Sequence, residues 1–470
     1  MSTTTPTHTH LAVDDLKRQV RGTVTVPIDE NYDAQRHSWN LTVDHRPAVI
    51  VDAEGVADVQ AAVNFARANS LALSVQTTGH GQPRHCEGGL LLRLGRMNAV
   101  SVDGVSRTAT VGGGAKWEDV IPVAHAHGLA PLSGSSPDVG VAGYLVGGGY
   151  GLMQRKYGLA VDALISATLV LADGSIVRAN AEENADLFWA VRGGGAAFGV
   201  ITEMVIGLVP NATVFGGNVI IDASQAPAVL RAWSEWTATA PDEVTSAVIL
   251  ITFPPLPFVP EFLRGTSKAI FVACVTDLER AEEILRPMRN LPGVEFDTFR
   301  PMPFTECASI FNDPVEPMPA IGSGTMLGNF EGEAVDAFLE AVGPIPQSPN
   351  LMIQLRHIGG VSATVPAAET PIGDRRVARY LIYCLGVPMP HNPPVNIVHH
   401  AEQSLSALNP WMVARGPLNW IGEATVPADA VRGVYDDPSF ERLLSVKRTV
   451  DPYNLFRNAS IGLWLAETEG

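Results

Sequence analysis

The chain has 470 residues, which is too long for one compact core, so we expect two or three domains. Hydrophobic residues make up 46% of it and charged residues 17%, a composition typical of a globular protein and not of a disordered one. The formal net charge of −17 argues against nucleic acid and anionic membranes as partners, because the summed electrostatic potential repels both.

Cysteine usage and the first residues narrow the class further. The cysteines are too few and too scattered for a disulfide framework. The chain contains no CxxC pair, which argues against zinc binding and dithiol chemistry. Residues 1–20 lack a basic start followed by an apolar run, and no apolar stretch approaches the roughly 20 residues of a membrane helix. We therefore predict no membrane partner and a cytoplasmic location. The cysteines, expected to be buried free thiols, are Cys86, Cys274, Cys307 and Cys384.

The first predicted elements form an α/β unit that ends in a loop. Residues 48–51, AVIV, have the character of a strand, and apolar residues recur at helical spacing over 56–66. The stretch LALSVQ then alternates as a second strand and continues directly into the residues TTGHG at 77–81. Ligands commonly bind at strand ends in α/β proteins, so this loop is a candidate binding site.

Glycine is concentrated in the segments that follow. After a short strand at 90–94 and a helix predicted at 116–127, eight glycines fall between residues 133 and 164. A hairpin is predicted at Asp173-Gly174, and a third glycine cluster at 193–199 precedes an apolar strand. Such density suits close approach of the backbone to a ligand, and turns alone are the competing interpretation.

The pattern changes from about residue 214. Strand-like runs such as AVILITF and NLMIQLRHIGG alternate with helical stretches up to about residue 424, which favours a separate sheet covered by helices. The stretch FERLLSVKRTV near the C-terminus is typical of another helix.

Several common site types are disfavoured by the residues themselves. No histidine pair has the helical spacing and third ligand of a metal motif, so no metal site is predicted. Neither GxGxxG after a strand nor GxxxxGK[ST] is present, and GxSxG is absent. The glycine clusters can still present backbone N–H groups to a diphosphate. The pattern alone does not choose an acid or a base.

Four segments in this order resemble the berberine bridge enzyme-like FAD-linked oxidases of the vanillyl alcohol oxidase and para-cresol methylhydroxylase superfamily. They are TTGHG, PDVGVAGYLVGGGYGLMQRKYGLAVDAL, NADLFWAVRGGGAAFGVIT and FERLLSVKRTVDPYNLFR. The resemblance extends from about His45 to Arg457 and covers most of the chain. It implies FAD as the cofactor.

The resemblance also implies roles for single residues. His80 takes the place of the histidine that is bonded to FAD, and Ser136 replaces the cysteine that makes a second bond in some relatives, so one covalent link is expected. Val139 stands where relatives that react readily with oxygen have valine. The expected cofactor-binding residues are His80, Thr77, Thr78, Gly79, Gly81, Gln82, Ser136, Val139, Gly140, Gly143, Tyr144, Gly147, Gly148, Gly149, Gly151, Gly199, Val200, Asn419 and Asn458.

The substrate side departs from the family pattern. Pro417 stands where many bacterial relatives have a tyrosine base, and Gln354 stands where others have a glutamate. Because glutamine cannot accept a proton at neutral pH, the base stays open among several candidates. Strand alternation pairs Gln354 with Arg356 on one face and Leu355 with His357 on the other. The catalytic candidates are Tyr144, Gln354, His357 and Tyr383, with Tyr380 as a further option.

Together these inferences predict a two-domain α+β flavoprotein. Residues 1–212 with 425–470 would form a para-cresol methylhydroxylase-type FAD-binding domain, and 213–424 a substrate domain with a helix-covered antiparallel sheet. The expected reaction is oxidation of an alcohol or amine carbon of a small molecule, with O2 as acceptor and hydrogen peroxide as product. The alternatives are a flavin-dependent dehydrogenase or oxidative cyclase of a natural-product pathway, and a flavin-binding protein without turnover. The sequence leaves the oligomeric state open.

Overall fold

Three β-sheets organise the part of the chain that the computed structural model describes, namely residues 12–81, 84–257, 259–372, 374–422 and 426–468. The strands of the N-terminal half are β1 to β9, at Thr23–Thr25, Val49–Asp52, Leu73–Gln76, Leu90–Arg93, Val100–Asp103, Thr108–Gly112, Leu164–Val170, Ile176–Asn180 and Val200–Gly207. The later strands are β10 to β18, at Thr213–Asp222, Val244–Thr252, Ser267–Val275, Val294–Asp297, Arg300–Pro303, Ile321–Leu327, Met352–His357, Tyr380–Gly386 and Met412–Ala414.

The helices are numbered in the same way. The α-helices α1 to α14 are Val13–Gln19, Tyr32–Gln35, Val56–Ala68, Trp117–His125, Val141–Val146, Gln154–Tyr157, Ala185–Val191, Ala226–Thr237, Ala281–Arg289, Glu333–Val342, Pro394–Ser406, Ala428–Arg432, Asp437–Val450 and Ser460–Thr468. Short 3₁₀ helices are Ala160–Ala163, Ala223–Gln225, Glu261–Leu263, Phe304–Ile310, Ile345–Gln347, Gly360–Ala363, Ala367–Glu369, Asp374–Arg376, Asn409–Trp411 and Leu418–Trp420. None of these helices is long and apolar enough to cross a bilayer.

The first sheet contains the predicted α/β unit. Its strand order is β1-β2-β4-β3, with β4 parallel to both β2 and β3. All of β2 is buried, as expected for a parallel strand covered on both faces. Helix α3 packs its buried Val59, Val63 and Ala66 into the same apolar core. The strand–helix–strand prediction is confirmed, and it places the loop 77–81 directly after the end of β3.

The second sheet is antiparallel, with the order β5-β6-β9-β7-β8. Strands β7 and β8 form the predicted hairpin, which turns at Gly174 with a φ of +86°. Glycine adopts this left-handed conformation without the steric cost that a Cβ brings. Helix α5, which starts inside the long glycine-rich segment, packs in the core that this sheet shares with helix α4.

The third sheet has nine antiparallel strands in the order β13-β10-β12-β11-β16-β17-β15-β18, with β14 also paired to β10. One face packs against α8 to α11, where Ile353 and Leu355 of β16 join the buried core. The opposite face is turned towards the first two sheets. This arrangement confirms the predicted α+β class and the helix-covered antiparallel sheet.

The C-terminal helices return to the N-terminal half. Lys447 of α13 is fully buried and donates a hydrogen bond to the Ala197 carbonyl at 2.8 Å. The Leu73 amide donates to the Leu455 carbonyl, which ties β3 to the segment after α13. The domain limits at 212 and 424 stay predictions, and residues 424 and 425 lie outside the described part of the chain. All four cysteines are buried free thiols, as expected.

Candidate active site

A cavity of about 490 Å³ lies between the first two sheets and the open face of the third. Ser74 and Val75 of β3 border it at one end, together with Phe456 and Asn458. Its other end is bordered by strands β11, β16 and β17. A cavity that extends across several elements in this way suits an elongated ligand, and such junctions are common sites for cofactors.

His80 occupies the loop after β3 and lines this cavity. Its ring stacks on Trp39, with 4.2 Å between ring centroids and 18° between planes. The Thr78 hydroxyl lies 2.7 Å from Nδ1. The other ring nitrogen, Nε2, is buried without an aligned hydrogen-bond partner among the described residues. The imidazole is therefore held firmly while one nitrogen is left unsatisfied.

The closest charged group to that nitrogen is Asp138, whose Oδ2 lies 3.3 Å from His80 Nε2. The Ser136 hydroxyl donates to Oδ1 of the same carboxylate at 2.5 Å. Burial by itself raises the pKa of Asp138, but the contacts with His80 and Ser136 outweigh it and hold the pKa below the usual value. Asp138 is thus ionised at neutral pH and can stabilise positive charge on the imidazole.

Glycines in and around helix α5 allow a ligand to approach the backbone. A Cβ at Gly143 would meet no atom within 4 Å, so this position faces open cavity. A Cβ at Gly140 would come within 2.9 Å of the Thr77 side chain, and one at Gly147 would overlap the Asn419 amide. The Asn419 Oδ1 accepts a hydrogen bond from the Gly149 amide at 3.1 Å, which links this segment to the chain after β18.

Most of the expected cofactor residues border the cavity. They are Thr77, Thr78, Gly79, His80, Gly81, Ser136, Val139, Gly140, Gly143, Tyr144, Gly147, Gly199, Asn419 and Asn458. Gln82 lies outside the described residues.

Four of the expected cofactor residues, Gly148, Gly149, Gly151 and Val200, do not line the cavity. Gly148 lies against Ile372, Gly149 against Ala160 and Gly151 against the Ser133 carbonyl. Val200 is fully buried in the core of the first sheet. These glycines permit close packing of the chain on itself, which the sequence pattern alone does not separate from packing on a ligand.

The third sheet presents Gln354 and Tyr383 to the cavity. The two residues are direct cross-strand partners on β16 and β17. The Tyr383 ring meets Trp420 edge-on, with centroids 4.9 Å apart. The tyrosine hydroxyl lies over Gly322 of β15, where any side chain would collide with it. Both residues thus border the cavity, and their contact with a substrate stays a prediction.

Arg356 follows Gln354 on the same face and is buried. Its guanidinium lies between the rings of Phe311 and Trp420, with the central carbon 4.8 and 4.7 Å from their centroids. Nε donates to Gln354 Oε1 at 2.6 Å, and Nη1 makes a long contact of 3.4 Å with the Tyr150 carbonyl. Burial lowers the pKa of Arg356, and Asp313 opposes that effect.

Asp313 comes from the loop before β15 and also lines the cavity. Its Oδ2 accepts a hydrogen bond from the Ser135 hydroxyl at 2.5 Å. Asp313 is half-buried, and its partial removal from water raises the pKa of this carboxyl. The Ser135 hydrogen bond and the charge of Arg356 act in the opposite direction without reversing the shift. A carboxylate with this environment is a competent proton acceptor.

Tyr144 and His357 are less suited to acid–base work. Burial raises the pKa of the Tyr144 phenol, whose hydroxyl has no hydrogen-bond partner among the described residues. His357 does not line the cavity, because it points to the helix-covered face of the sheet with Tyr380, on which it stacks. Its Nε2 lies 3.0 Å from Arg155 Nη1, and burial lowers its pKa well below the usual value. His357 thus packs on the helix-covered side of the sheet, away from the cavity, and nothing in its surroundings supports its predicted catalytic role.

Sequence reasoning missed three polar residues around the cavity. Asp138 lies inside the PDVG segment, in which the resemblance to the family assigns roles only to its neighbours Ser136 and Val139. Arg356 had a usable signal, because strand alternation already placed it on the face of Gln354. Asp313 had none, since the turn-like stretch NDP gives no reason to place it near residues 135 or 356.

Parts of the chain are similar in sequence to known proteins. Residues 47–180 match the model of the FAD-binding domain family. The (R)-6-hydroxynicotine oxidase of Paenarthrobacter nicotinovorans is 37% identical over 191 residues, which are 40% of this chain and 42% of that protein. The chain thus spans less than half the length of this curated relative in the matched segment.

Solved structures extend the similarity over nearly the whole chain. The crystal structure of 6-hydroxy-D-nicotine oxidase from Arthrobacter nicotinovorans matches with a TM-score of 0.80 at 25% identity, over 93% of this chain and 97% of that one. Berberine bridge enzyme from Eschscholzia californica matches with a TM-score of 0.78 at 21% identity, over 94% and 97%.

These similarities first indicate the class of protein. Residues 47–180 match an FAD-binding domain, and the mixed helix and sheet fold is shared with neighbours of two-domain fold. More specifically, its structural neighbours are the berberine bridge enzyme-like FAD-linked oxidases, so the resemblance inferred from the sequence is confirmed.

Proposed function

We propose that this protein is an FAD-dependent oxidase of a small molecule, with the cofactor held by a single covalent bond to His80. The observation that carries the proposal is the cavity itself, which is bordered both by the loop of His80, where one ring nitrogen is unsatisfied, and by polar residues of the third sheet. The backbone at Gly143, open to the cavity, and the Asn419 amide would hold the cofactor.

Bound FAD would supply hydride acceptance from a carbon that carries a hydroxyl or an amino group, with O2 as the final acceptor and hydrogen peroxide as product. The protein residues do the remaining work. Asp313 accepts the proton of that hydroxyl or amino group on its carboxylate, because its raised pKa and its position in the cavity suit it to the task. Gln354 and Tyr383 orient the reacting group from the facing strands.

Trp39, Trp420 and Tyr383 surround the same space with aromatic surface. They exclude water from the reacting centre, which strengthens the electrostatic effect of each charged group there. Val139 borders the cavity without bulk near the loop of His80, in keeping with access for oxygen. The relatives' substrates include a nicotine derivative, and the comparisons leave the substrate of this chain to experiment.

The covalent bond is tested by denaturation. Acid-precipitated wild-type protein should stay yellow, and the protein band should fluoresce in a denaturing gel. His80→Ala should release its flavin into the supernatant, whereas His85→Ala, which changes a histidine that does not line the cavity, should retain it. Release of all flavin from the wild type would refute the covalent bond.

Oxidase activity is tested separately by anaerobic reduction with dithionite and exposure to air. Rapid recovery of the oxidised spectrum with formation of hydrogen peroxide supports the proposal. Recovery that takes many minutes would instead identify a dehydrogenase.

A further inference from the structure

Arg356 is a buried cation whose charge no protein group fully matches. It is 6% exposed, and no carboxylate of the described residues lies within 4 Å of its guanidinium. The groups in contact with the guanidinium are neutral, namely the Gln354 side chain, the Tyr150 carbonyl and two aromatic rings. Since a buried charge is normally paired, this arrangement points to a partner that arrives with the ligand.

The unsatisfied part of the guanidinium is directed to the cavity. Nε is occupied by Gln354, and the contact of Nη1 with Tyr150 is long, while Nη2 has no hydrogen-bond partner among the residues that the structure describes. Arg356 nevertheless borders the cavity. The two terminal nitrogens of arginine form a planar fork that fits both oxygens of a carboxylate.

The position of this fork is fixed before any ligand binds. Phe311 and Trp420 hold the guanidinium from its two faces, and the Gln354 oxygen holds its inner edge. Little side-chain freedom is left to lose on binding, which favours affinity. Asp313 influences the charge of Arg356 from beyond ion-pair distance and stands on the same cavity wall. A ligand between them would meet a fixed cation and a proton acceptor.

We infer that the substrate carries a carboxylate, which binds the terminal nitrogens of Arg356 while the rest of the molecule lies against the aromatic side chains of the cavity. The inference deepens the proposed function and rests on it for the oxidation step. The anion site itself requires only the contacts described above. It predicts preference for acids over neutral molecules of the same shape, a property that the FAD-binding loops do not determine.

The test uses the purified flavin-containing protein with benzoate and benzamide as probes, which have similar shape and differ in charge. Binding is measured by isothermal calorimetry and, independently, by the change in the visible flavin spectrum. Wild-type protein should bind benzoate at least tenfold more tightly than benzamide. Arg356→Met should weaken benzoate at least tenfold and leave benzamide within about twofold. Arg356→Lys, which keeps the charge and loses the fork, should fall between these two.

The matched control is Arg192→Lys, which changes another largely buried arginine next to an aromatic ring, Phe188, outside the cavity. It should bind both probes like the wild type. Equal affinity of the wild type for benzoate and benzamide would overturn the inference. Undiminished affinity of a folded Arg356→Met for benzoate would also overturn the carboxylate inference. If that variant also lost its flavin, the result would assign Arg356 to binding of the cofactor.

Failure of the proposed function gives a different result. If benzoate binds through Arg356 but no carboxylic acid with an oxidisable hydroxyl or amino group bleaches the flavin anaerobically, the anion site stands and the oxidase proposal falls. If neutral alcohols or amines bleach it as fast as their carboxylate analogues, the oxidase proposal stands and the carboxylate inference falls.

Discussion

Replacement of Asp138 by asparagine removes the negative charge beside His80 without changing the shape of the side chain. The proposed covalent attachment of FAD would place positive charge on the imidazole, and Asp138 Oδ2, 3.3 Å from Nε2, is positioned to stabilise it. Two opposite unit charges about 4 Å apart attract each other by ~1 kcal/mol in water and by ~4 kcal/mol at the effective dielectric near a protein surface. The contact is a charge contact without an aligned hydrogen bond, so we take about 1.5 kcal/mol, in the lower part of this range.

A loss of about 1.5 kcal/mol corresponds to roughly tenfold in rate. We therefore expect Asp138→Asn to attach FAD about ten times more slowly than the wild type. The assay mixes flavin-free protein with FAD, stops samples in acid and measures flavin fluorescence of the protein band over time. Ser136→Ala is the matched control, because it removes the hydrogen bond that the Ser136 hydroxyl donates to Asp138 and keeps the charge; its rate should fall less than threefold. An unchanged rate in folded Asp138→Asn would refute this reasoning.

The remaining predictions concern the cavity and its carboxyl group. Asp313→Asn should lower the rate of anaerobic flavin reduction by about 10²- to 10⁴-fold. In the wild type this rate should rise with pH at a value above the usual carboxyl pKa, because the pKa of Asp313 is raised in the folded protein, and the variant should lose that rise. A rise with pH that is retained in Asp313→Asn would assign the base to another residue. A raised carboxyl pKa means that the folded protein binds this proton more tightly than the unfolded chain does, so the stability that Asp313 contributes is lost as the pH rises from the unfolded-state pKa through the folded-state pKa. Asp313→Asn should therefore increase the free energy of unfolding of the flavin-free protein at pH 7, as measured by urea titration. Gly143→Leu should fill part of the open cavity and block the incorporation of FAD. Its midpoint of thermal unfolding should be at least that of the wild type, since leucine is favoured over glycine within a helix by about 1 kcal/mol. A normal flavin content in Gly143→Leu would contradict this prediction. Val139→Leu should slow reoxidation by air at least tenfold, with little change in flavin content, and equal reoxidation rates would show that this position does not control oxygen access.

Local patterns were sufficient for the N-terminal half of the fold. The α/β unit at 48–76 and the hairpin at Gly174 follow from apolar periodicity and turn chemistry, and both are present. The loop of His80 is a candidate binding site because it follows a strand end, and the role expected of His80 itself comes from the resemblance to the family. The glycines were harder, because Gly143 faces the cavity while Gly149 and Gly151 pack on their own chain, and composition is the same in both cases.

The substrate side depended on contacts between residues far apart in the chain. Alternation on β16 separates Gln354 and Arg356 from Leu355 and His357, but it does not say which pair faces the ligand. Packing of helices α8 to α11 on one face of the nine-stranded sheet decides this, because it buries Leu355 and leaves Arg356 at the cavity.

The sequence by itself therefore determined the class of fold and the position of the glycine-rich loops, since these depend on order along the chain, and the cofactor roles of these loops and of His80 stay predictions. Only the tertiary structure brought Asp313 to Ser135, 178 positions away, and set Arg356 between Phe311 and Trp420. The chemistry of a charge depends on burial and on neighbours in space, and neither is encoded in its local sequence.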